Sequence, residues 1–114
     1  MSMSPQVIPE ITATELKERL DAGDAPVLVD VREPHEWEIA SLEQHGAVLR
    51  PMDDIFDWRD ELDPSAETVV YCRTGNRSAW IVRDLMEAGF QNVRNLKGGL
   101  HAWSTDVDPS VPRY

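Results

Sequence analysis

The sequence is poor in the residues that stabilise disulfide-rich or metal-binding domains. It has one cysteine among 114 residues, so no internal disulfide can form and nothing points to an oxidising compartment. Its three histidines are scattered, and with a single cysteine they offer no ligand pair at zinc spacing. We therefore expect neither a metal nor a cofactor.

Basic residues are also scarce, with 11 Lys and Arg against 21 Asp and Glu, a net charge of −10. This balance favours solubility and disfavours a nucleic-acid or anionic-membrane partner. No apolar run approaches membrane-spanning length, and Met1 to Pro5 lack the features of a signal peptide. We expect a cytoplasmic protein whose residues 1–6 form a flexible tail. Nothing in the sequence requires more than a monomer.

The remaining residues have the composition of one globular domain, which we place at residues 7–114. The hydrophobic fraction is 41% and the charged fraction 28%, and the chain is long enough to bury one core. Short apolar runs alternate with helical patterns, as in βαβ units. The sequence thus predicts an α/β fold with a mainly parallel central sheet of about five strands, flanked by helices on both faces. The predicted strands lie within residues 7–11, 27–31, 47–49, 68–71 and 93–96.

The most informative stretch surrounds the single cysteine. Cys72 follows the apolar run Thr68–Tyr71 and precedes a helical pattern over Ser78–Ala88. A loop between a strand and a helix places its backbone N–H groups at the helix N-terminus, where they attract anions. Arg73 and Arg77 add positive charge, so we expect the thiol to be held as a nucleophilic thiolate. The alternative is a buried, inert cysteine.

Three motifs together resemble the rhodanese family of sulfurtransferases. They are the Cys72-x-x-x-x-Arg77 loop, the sequence Asp-Val-Arg-Glu at residues 30–33, and the segment Leu96-x-Gly-Gly-x-x-x-Trp103. Their order and spacing match the family over residues 8–114. The tail at residues 108–114, Asp-Pro-Ser-Val-Pro-x-Tyr, is similar to the end of rhodanese domains fused to ubiquitin-activating-type adenylyltransferases. The segment at residues 40–46 departs from the family pattern, so its path and the role of His45 stay open.

The resemblance implies a sulfurtransferase that works through a persulfide on Cys72. The donor would be thiosulfate or a protein persulfide, and the acceptor cyanide, a thiol or a sulfur-carrier pathway. Partner proteins could therefore supply or receive the sulfur. With one cysteine there is no resolving thiol, so the persulfide must be discharged to an outside acceptor.

Each loop residue has an expected role. Arg77 is expected to brace the loop by binding loop carbonyls, and Arg73 to meet the sulfonate of the donor. Gly75 permits a backbone conformation that a side chain would oppose. We expect Ser78 to offer its hydroxyl to the sulfur. The remaining candidates are Thr74 and Asn76 at the rim of the site and Asp30 and Arg32 as a supporting charge pair at a strand end.

A sulfur carrier with weak thiosulfate turnover but real persulfide transfer fits the same residues and stays open as an alternative. A docking module is a further alternative, although it would not need the cysteine and both arginines. Other enzyme classes fit the sequence less well. Cysteine phosphatases and arsenate reductases have five residues between cysteine and arginine, whereas Cys72 and Arg77 enclose four. A Cys–His hydrolase would need a histidine beside Cys72. None of His35, His45 and His101 is placed there by its spacing.

Overall fold

A computed structural model describes residues 7–114, so the predicted flexible tail at residues 1–6 lies outside the described residues. The chain forms one five-stranded sheet in the order β1-β5-β4-β2-β3, and every neighbouring pair is parallel. The predicted α/β architecture is confirmed. The strands are β1 (Glu10–Ile11), β2 (Val27–Asp30), β3 (Val48–Leu49), β4 (Thr68–Tyr71) and β5 (Val93–Leu96).

Five α-helices connect and cover these strands. They are α1 (Ala13–Asp21), α2 (Pro34–Ile39), α3 (Ile55–Trp58), α4 (Asn76–Glu87) and α5 (Gly99–Asp106). Short 3₁₀ turns occupy Glu43–His45, Met52–Asp54 and Arg59–Glu61. None of the helices within residues 7–114 has both the length and the apolar character that crossing a membrane requires.

The central strands are apolar on both sides because helices cover both faces of the sheet. Leu28 and Val69 point into a core that also contains Leu16 of α1 and side chains of α5. Their neighbours Val29 and Val70 point into a second core against α3 and α4. This alternation follows from the two-residue period of a strand.

Local sequence signals set several helix boundaries. Thr12 begins α1 with a capping box: its hydroxyl accepts from the Glu15 amide at 3.1 Å, and the Glu15 carboxylate accepts from the Thr12 amide at 2.9 Å. Pro34 occupies the first turn of α2, as its fixed φ angle favours. In α2 the charged Glu36 is buried, whereas the apolar Ile39 is 47% exposed.

The acidic stretch after β3 is irregular, because α3 is a single turn between two 3₁₀ turns. Trp58 is buried and its Nε1 donates to the Pro51 carbonyl at 2.8 Å, whereas Phe56 is 78% exposed. Trp58 belongs to the second core, and Met52, Ile55 and Leu62 pack against that core. These contacts hold the segment against the sheet.

Candidate active site

Cys72 is the first residue after β4, at the carboxyl edge of the sheet where α/β folds bind ligands. The side chain is 1% exposed. Its Sγ accepts hydrogen bonds from the backbone N–H of Gly75 at 3.1 Å and of Ser78 at 3.4 Å. Ser78 lies in the first turn of α4, so the positive end of that helix dipole points at the sulfur. This environment stabilises negative charge on Sγ.

The start of α5 fixes the loop backbone in this orientation. The amides of Leu100 and His101 donate to the carbonyls of Cys72 and Arg73 at 2.9 and 3.0 Å. This close approach requires glycine, because a Cβ on Gly99 would lie 2.6 Å from the Cys72 carbonyl oxygen. Gly75 adopts a φ of +103°, as expected for a residue that a side chain would strain. The carbonyls of Cys72 and Arg73 therefore face α5, and the N–H groups of Gly75 and Ser78 face the sulfur.

Asn95 on β5 is a site residue that the sequence analysis missed. Its Nδ2 donates to the Gly75 carbonyl at 3.0 Å, and its Oδ1 accepts from the Ser78 hydroxyl at 2.5 Å. The same hydroxyl lies 3.3 Å from Sγ of Cys72. Because a hydroxyl has one proton, Ser78 donates to Asn95 or to the sulfur at any moment. The available signal was a polar amide two residues after Val93, on the same side of β5 as that apolar residue.

Arg77 binds a carboxylate on another helix and not the loop carbonyls, so that expectation was wrong. Its Nη1 and Nη2 donate to the two oxygens of Glu36 at 2.7 and 2.8 Å. The planar guanidinium matches a carboxylate better than it matches scattered carbonyls. Arg77 lowers the pKa of the Glu36 carboxyl to about 2. Glu36, a second missed residue, thus ties α2 to the first turn of α4.

Asp30 and Arg32 form a fully buried ion pair at the end of β2. Nη2 of Arg32 donates to Oδ2 of Asp30 at 2.6 Å and to the Ala40 carbonyl at 2.6 Å. Nη1 donates to the hydroxyl of Tyr114. A buried charge is tolerated when it has such partners. Through these contacts the pair joins the strand end, the segment after α2 and the C-terminal segment.

The remaining candidates lie at the surface around Cys72. Thr74 and Asn76 are exposed at the rim. Arg73 is also exposed, and its Nε donates to Nε2 of His101 at 3.3 Å. Its guanidinium lies over the ring of Tyr114, 5.2 Å from the centroid.

Tyr114 is the third missed residue and links several parts of the site. Its hydroxyl donates to Oε2 of Glu36 at 2.9 Å. The segment leading to it is fastened by Val111, which is buried and whose carbonyl accepts from the Ser104 hydroxyl at 2.7 Å. The tail motif was noted in the sequence only as a resemblance. Its contact with α2 joins residues 78 positions apart, beyond any local pattern.

A cavity of about 160 Å³ opens beside Arg77. Two acidic residues, Glu33 and Asp53, line it together with Val31 and Met52. The side of the site next to Arg77 therefore carries negative charge. On the other side of the site, the exposed Arg73 forms no ion pair with a carboxylate among residues 7–114.

The histidines lie away from the sulfur. His101 contacts Arg73 and the Tyr114 carbonyl, and His45 packs edge-on against Trp103 with ring centroids 5.4 Å apart. Across residues 7–114, the hydrogen-bond partners of Sγ come only from Gly75 and Ser78. This arrangement gives no general base for a Cys–His hydrolase.

The sheet order, the loop after β4 and the helix that follows it define a rhodanese-type domain. The chain belongs to the family of rhodanese-like domains, whose model matches residues 12–106.

Relatives of known name agree with this membership. The chain is 38% identical over 102 residues to the putative sulfurtransferase YtwF of Bacillus subtilis, covering 90% of this chain and 96% of that protein. It is 38% identical over 119 residues to the maize protein adenylyltransferase and sulfurtransferase MOCS3-2, covering 97% of this chain and 25% of that protein. Several curated relatives are much longer, and the chain spans 25% to 31% of their length.

A solved structure shows the same fold. The crystal structure of SSP1007 from Staphylococcus saprophyticus superposes with a TM-score of 0.78 at 30% identity, covering 88% of this chain and 97% of that one. The relatives include proteins with a fused adenylyltransferase, as the tail motif predicted.

Proposed function

We propose that this protein is a sulfurtransferase that moves a sulfane sulfur through a persulfide on Cys72. Membership of the rhodanese-like family and the sulfurtransferase names of its relatives support sulfur transfer or sulfur carriage in general. The observation that carries the proposal is the pair of backbone N–H groups directed at Sγ from the first turn of α4 and the loop before it.

In the first step the Cys72 thiolate attacks the outer sulfur of the donor. With thiosulfate, the new bond joins Sγ to the sulfane sulfur, the S–S bond of thiosulfate breaks, and sulfite leaves with the bonding electron pair. The product is a Cys72 persulfide anion. The N–H groups of Gly75 and Ser78 stabilise the sulfur charge, and we propose that the exposed Arg73 binds the sulfonate group of the donor and neutralises the sulfite as it leaves.

In the second step an acceptor attacks the outer sulfur of the persulfide. Cyanide forms a bond to that sulfur, the persulfide S–S bond breaks, and thiocyanate leaves while Cys72 returns as thiolate. A thiol acceptor gives its own persulfide by the same displacement. Cys72 is the only cysteine in the sequence, so no internal disulfide competes with this discharge.

A second candidate is a sulfur carrier loaded by a protein persulfide, with little turnover of free thiosulfate. The acidic lining of the cavity beside Arg77 favours it, since Glu33 and Asp53 repel a small dianion.

The experiment that tests the proposal compares wild type with Cys72→Ser, using thiosulfate or a protein persulfide as donor and cyanide as acceptor. We expect Cys72→Ser to form no thiocyanate with either donor while keeping the wild-type circular dichroism spectrum. Turnover by this variant would overturn the mechanism. Wild-type activity with the protein persulfide alone would establish the carrier function.

A further inference from the structure

Tyr114 occupies a position that neither the sequence motifs nor the proposed chemistry assigns. It is partly exposed, and its ring lies within cation–π distance of two arginines, Arg32 and Arg73. The guanidinium of Arg73 lies 5.2 Å from the ring centroid and that of Arg32 lies 5.7 Å away. The segment before Tyr114 is held to α5 through Ser104 and Val111. The ring is therefore a fixed surface against which Arg73 rests.

The ring of Tyr114 restricts the side-chain conformation of Arg73. Among the arginines of the site, Arg73 is the one without a carboxylate partner within residues 7–114. Arg73 is exposed, and its other contact is a 3.3 Å hydrogen bond to His101. A free arginine side chain samples many rotamers, so its charge would be spread over the surface. Stacking on an aromatic face limits these rotamers and leaves the N–H groups at the guanidinium edge free to bind an anion.

The hydroxyl of Tyr114 acts on the other arginine of the loop, through Glu36. It donates to Oε2 of Glu36, the same oxygen that accepts from Nη2 of Arg77 at 2.8 Å. It also accepts from Arg32, whose partner is the buried Asp30. One hydroxyl thus joins two ion pairs, and one ring orients the free cation at the rim.

We infer that Tyr114 is a positioning residue of the site: its ring holds Arg73 ready for an anionic sulfur donor, and its hydroxyl fixes the Glu36–Arg77 pair. The effect on donor selectivity rests on the proposed function. If that function holds, the segment after α5 helps to determine how well the protein uses a donor that carries an oxyanion.

The first test measures the order of the Arg73 side chain without any reaction. The heteronuclear NOE of its Nε–H group is recorded in ¹⁵N-labelled protein for wild type, Tyr114→Phe and Tyr114→Leu. We expect wild type and Tyr114→Phe to show the high NOE of a restrained Arg73 Nε–H group. In Tyr114→Leu the NOE of Arg73 should fall towards the value of the exposed Arg113. An unchanged Arg73 signal in Tyr114→Leu would overturn the inference.

The second test measures loading of Cys72 by thiosulfate as a function of donor concentration. Tyr114→Leu should raise the half-saturating concentration about three- to fivefold, the range that a surface cation–π contact supports. Tyr114→Phe keeps the ring, so its half-saturating thiosulfate concentration should stay within twofold of the wild-type value. Equal changes in the two variants would show that the ring does not position Arg73, and so contradict the inference.

Arg113→Gln is the matched control, because Arg113 is exposed in the same segment and its loss tests charge alone. It should leave the half-saturating concentration within twofold; an increase equal to that of Tyr114→Leu would contradict a specific effect of Tyr114. Thermal unfolding midpoints verify that each variant is folded. If thiosulfate does not load wild type, the thiosulfate part of the proposed function fails, and the NOE comparison still decides whether Tyr114 holds Arg73.

Discussion

Arg77 and Glu36 form a two-pronged ion pair that joins α4 to α2 across 41 residues of sequence. The carboxylate neutralises Arg77, the arginine of the loop motif that lies in the first turn of α4. Arg73, at the other end of the loop, forms no ion pair with a carboxylate among residues 7–114. The two loop arginines therefore differ: Arg77 joins two helices through an ion pair, and Arg73 has no such partner.

We predict that Arg73→Ala weakens the use of thiosulfate and has less effect on a persulfide already formed. Loss of the free guanidinium should raise the half-saturating thiosulfate concentration at least about tenfold, since a charge-assisted hydrogen bond contributes about 1.5–3 kcal/mol. Discharge of preformed persulfide to cyanide should change less than threefold. Rapid-quench measurement of the two half-reactions separates these effects. Equal losses in both would remove Arg73 from donor binding.

Glu36 should make stability depend on pH in the acid range. Its pKa is lowered from 4.5 to about 2 in the folded protein, so its contribution is complete above pH 4.5 and is lost as the pH falls towards 2. Because Arg77 is partly exposed, we expect Glu36→Gln to cost about 2 kcal/mol at pH 7. The difference between wild type and variant should shrink between pH 4.5 and 2.

Urea unfolding at several pH values measures this difference. Glu38→Gln, an exposed carboxylate on the same helix, is the matched control and should change the free energy of unfolding by less than 0.5 kcal/mol. A Glu36→Gln deficit that stays constant from pH 7 to 2 would show that the effect is not ionic.

The fold and the loop could be predicted because their signals are local. The apolar run Thr68–Tyr71, the single Cys72 and the pattern of α4 specify a strand, a loop and a helix without reference to other segments. The residues that bind the loop, such as Glu36, are far from it in the sequence, so no local pattern identifies them. Glu36 lies in a helix whose polar residues predict a solvated face, and only the guanidinium of Arg77 explains its burial.

Asn95 should matter for the shape of the loop. Asn95→Ala removes the bonds to the Gly75 carbonyl and the Ser78 hydroxyl, and we expect a loss of about 1–2 kcal/mol of stability. Because the N–H of Gly75 is then less well aimed at Sγ, Cys72 loading should slow about tenfold. Asn92→Ala, an exposed position just before β5, is the matched control. An unaltered loading rate in Asn95→Ala would show that the loop holds its shape without this amide.

The acidic cavity predicts a charge effect on donor choice. Asp53→Asn removes one negative charge beside Arg77 and should lower the half-saturating thiosulfate concentration two- to threefold at low salt. This decrease in the half-saturating concentration should disappear near 0.5 M salt, because salt screens the electrostatic interaction between the carboxylate and the donor. Asp106→Asn makes the same change in net charge at the end of α5, outside this lining. If it gives the same gain, the effect is one of total charge and not of the cavity.

The formation of a persulfide on Cys72 is tested most directly by the intact mass of the purified protein. The mass is measured before and after incubation with thiosulfate or a protein persulfide, and again after cyanide is added. We predict a gain of one sulfur atom that maps to Cys72, is absent from Cys72→Ser and is removed by cyanide. A wild-type mass that neither donor changes would contradict sulfur transfer and leave a docking module as the function of this domain.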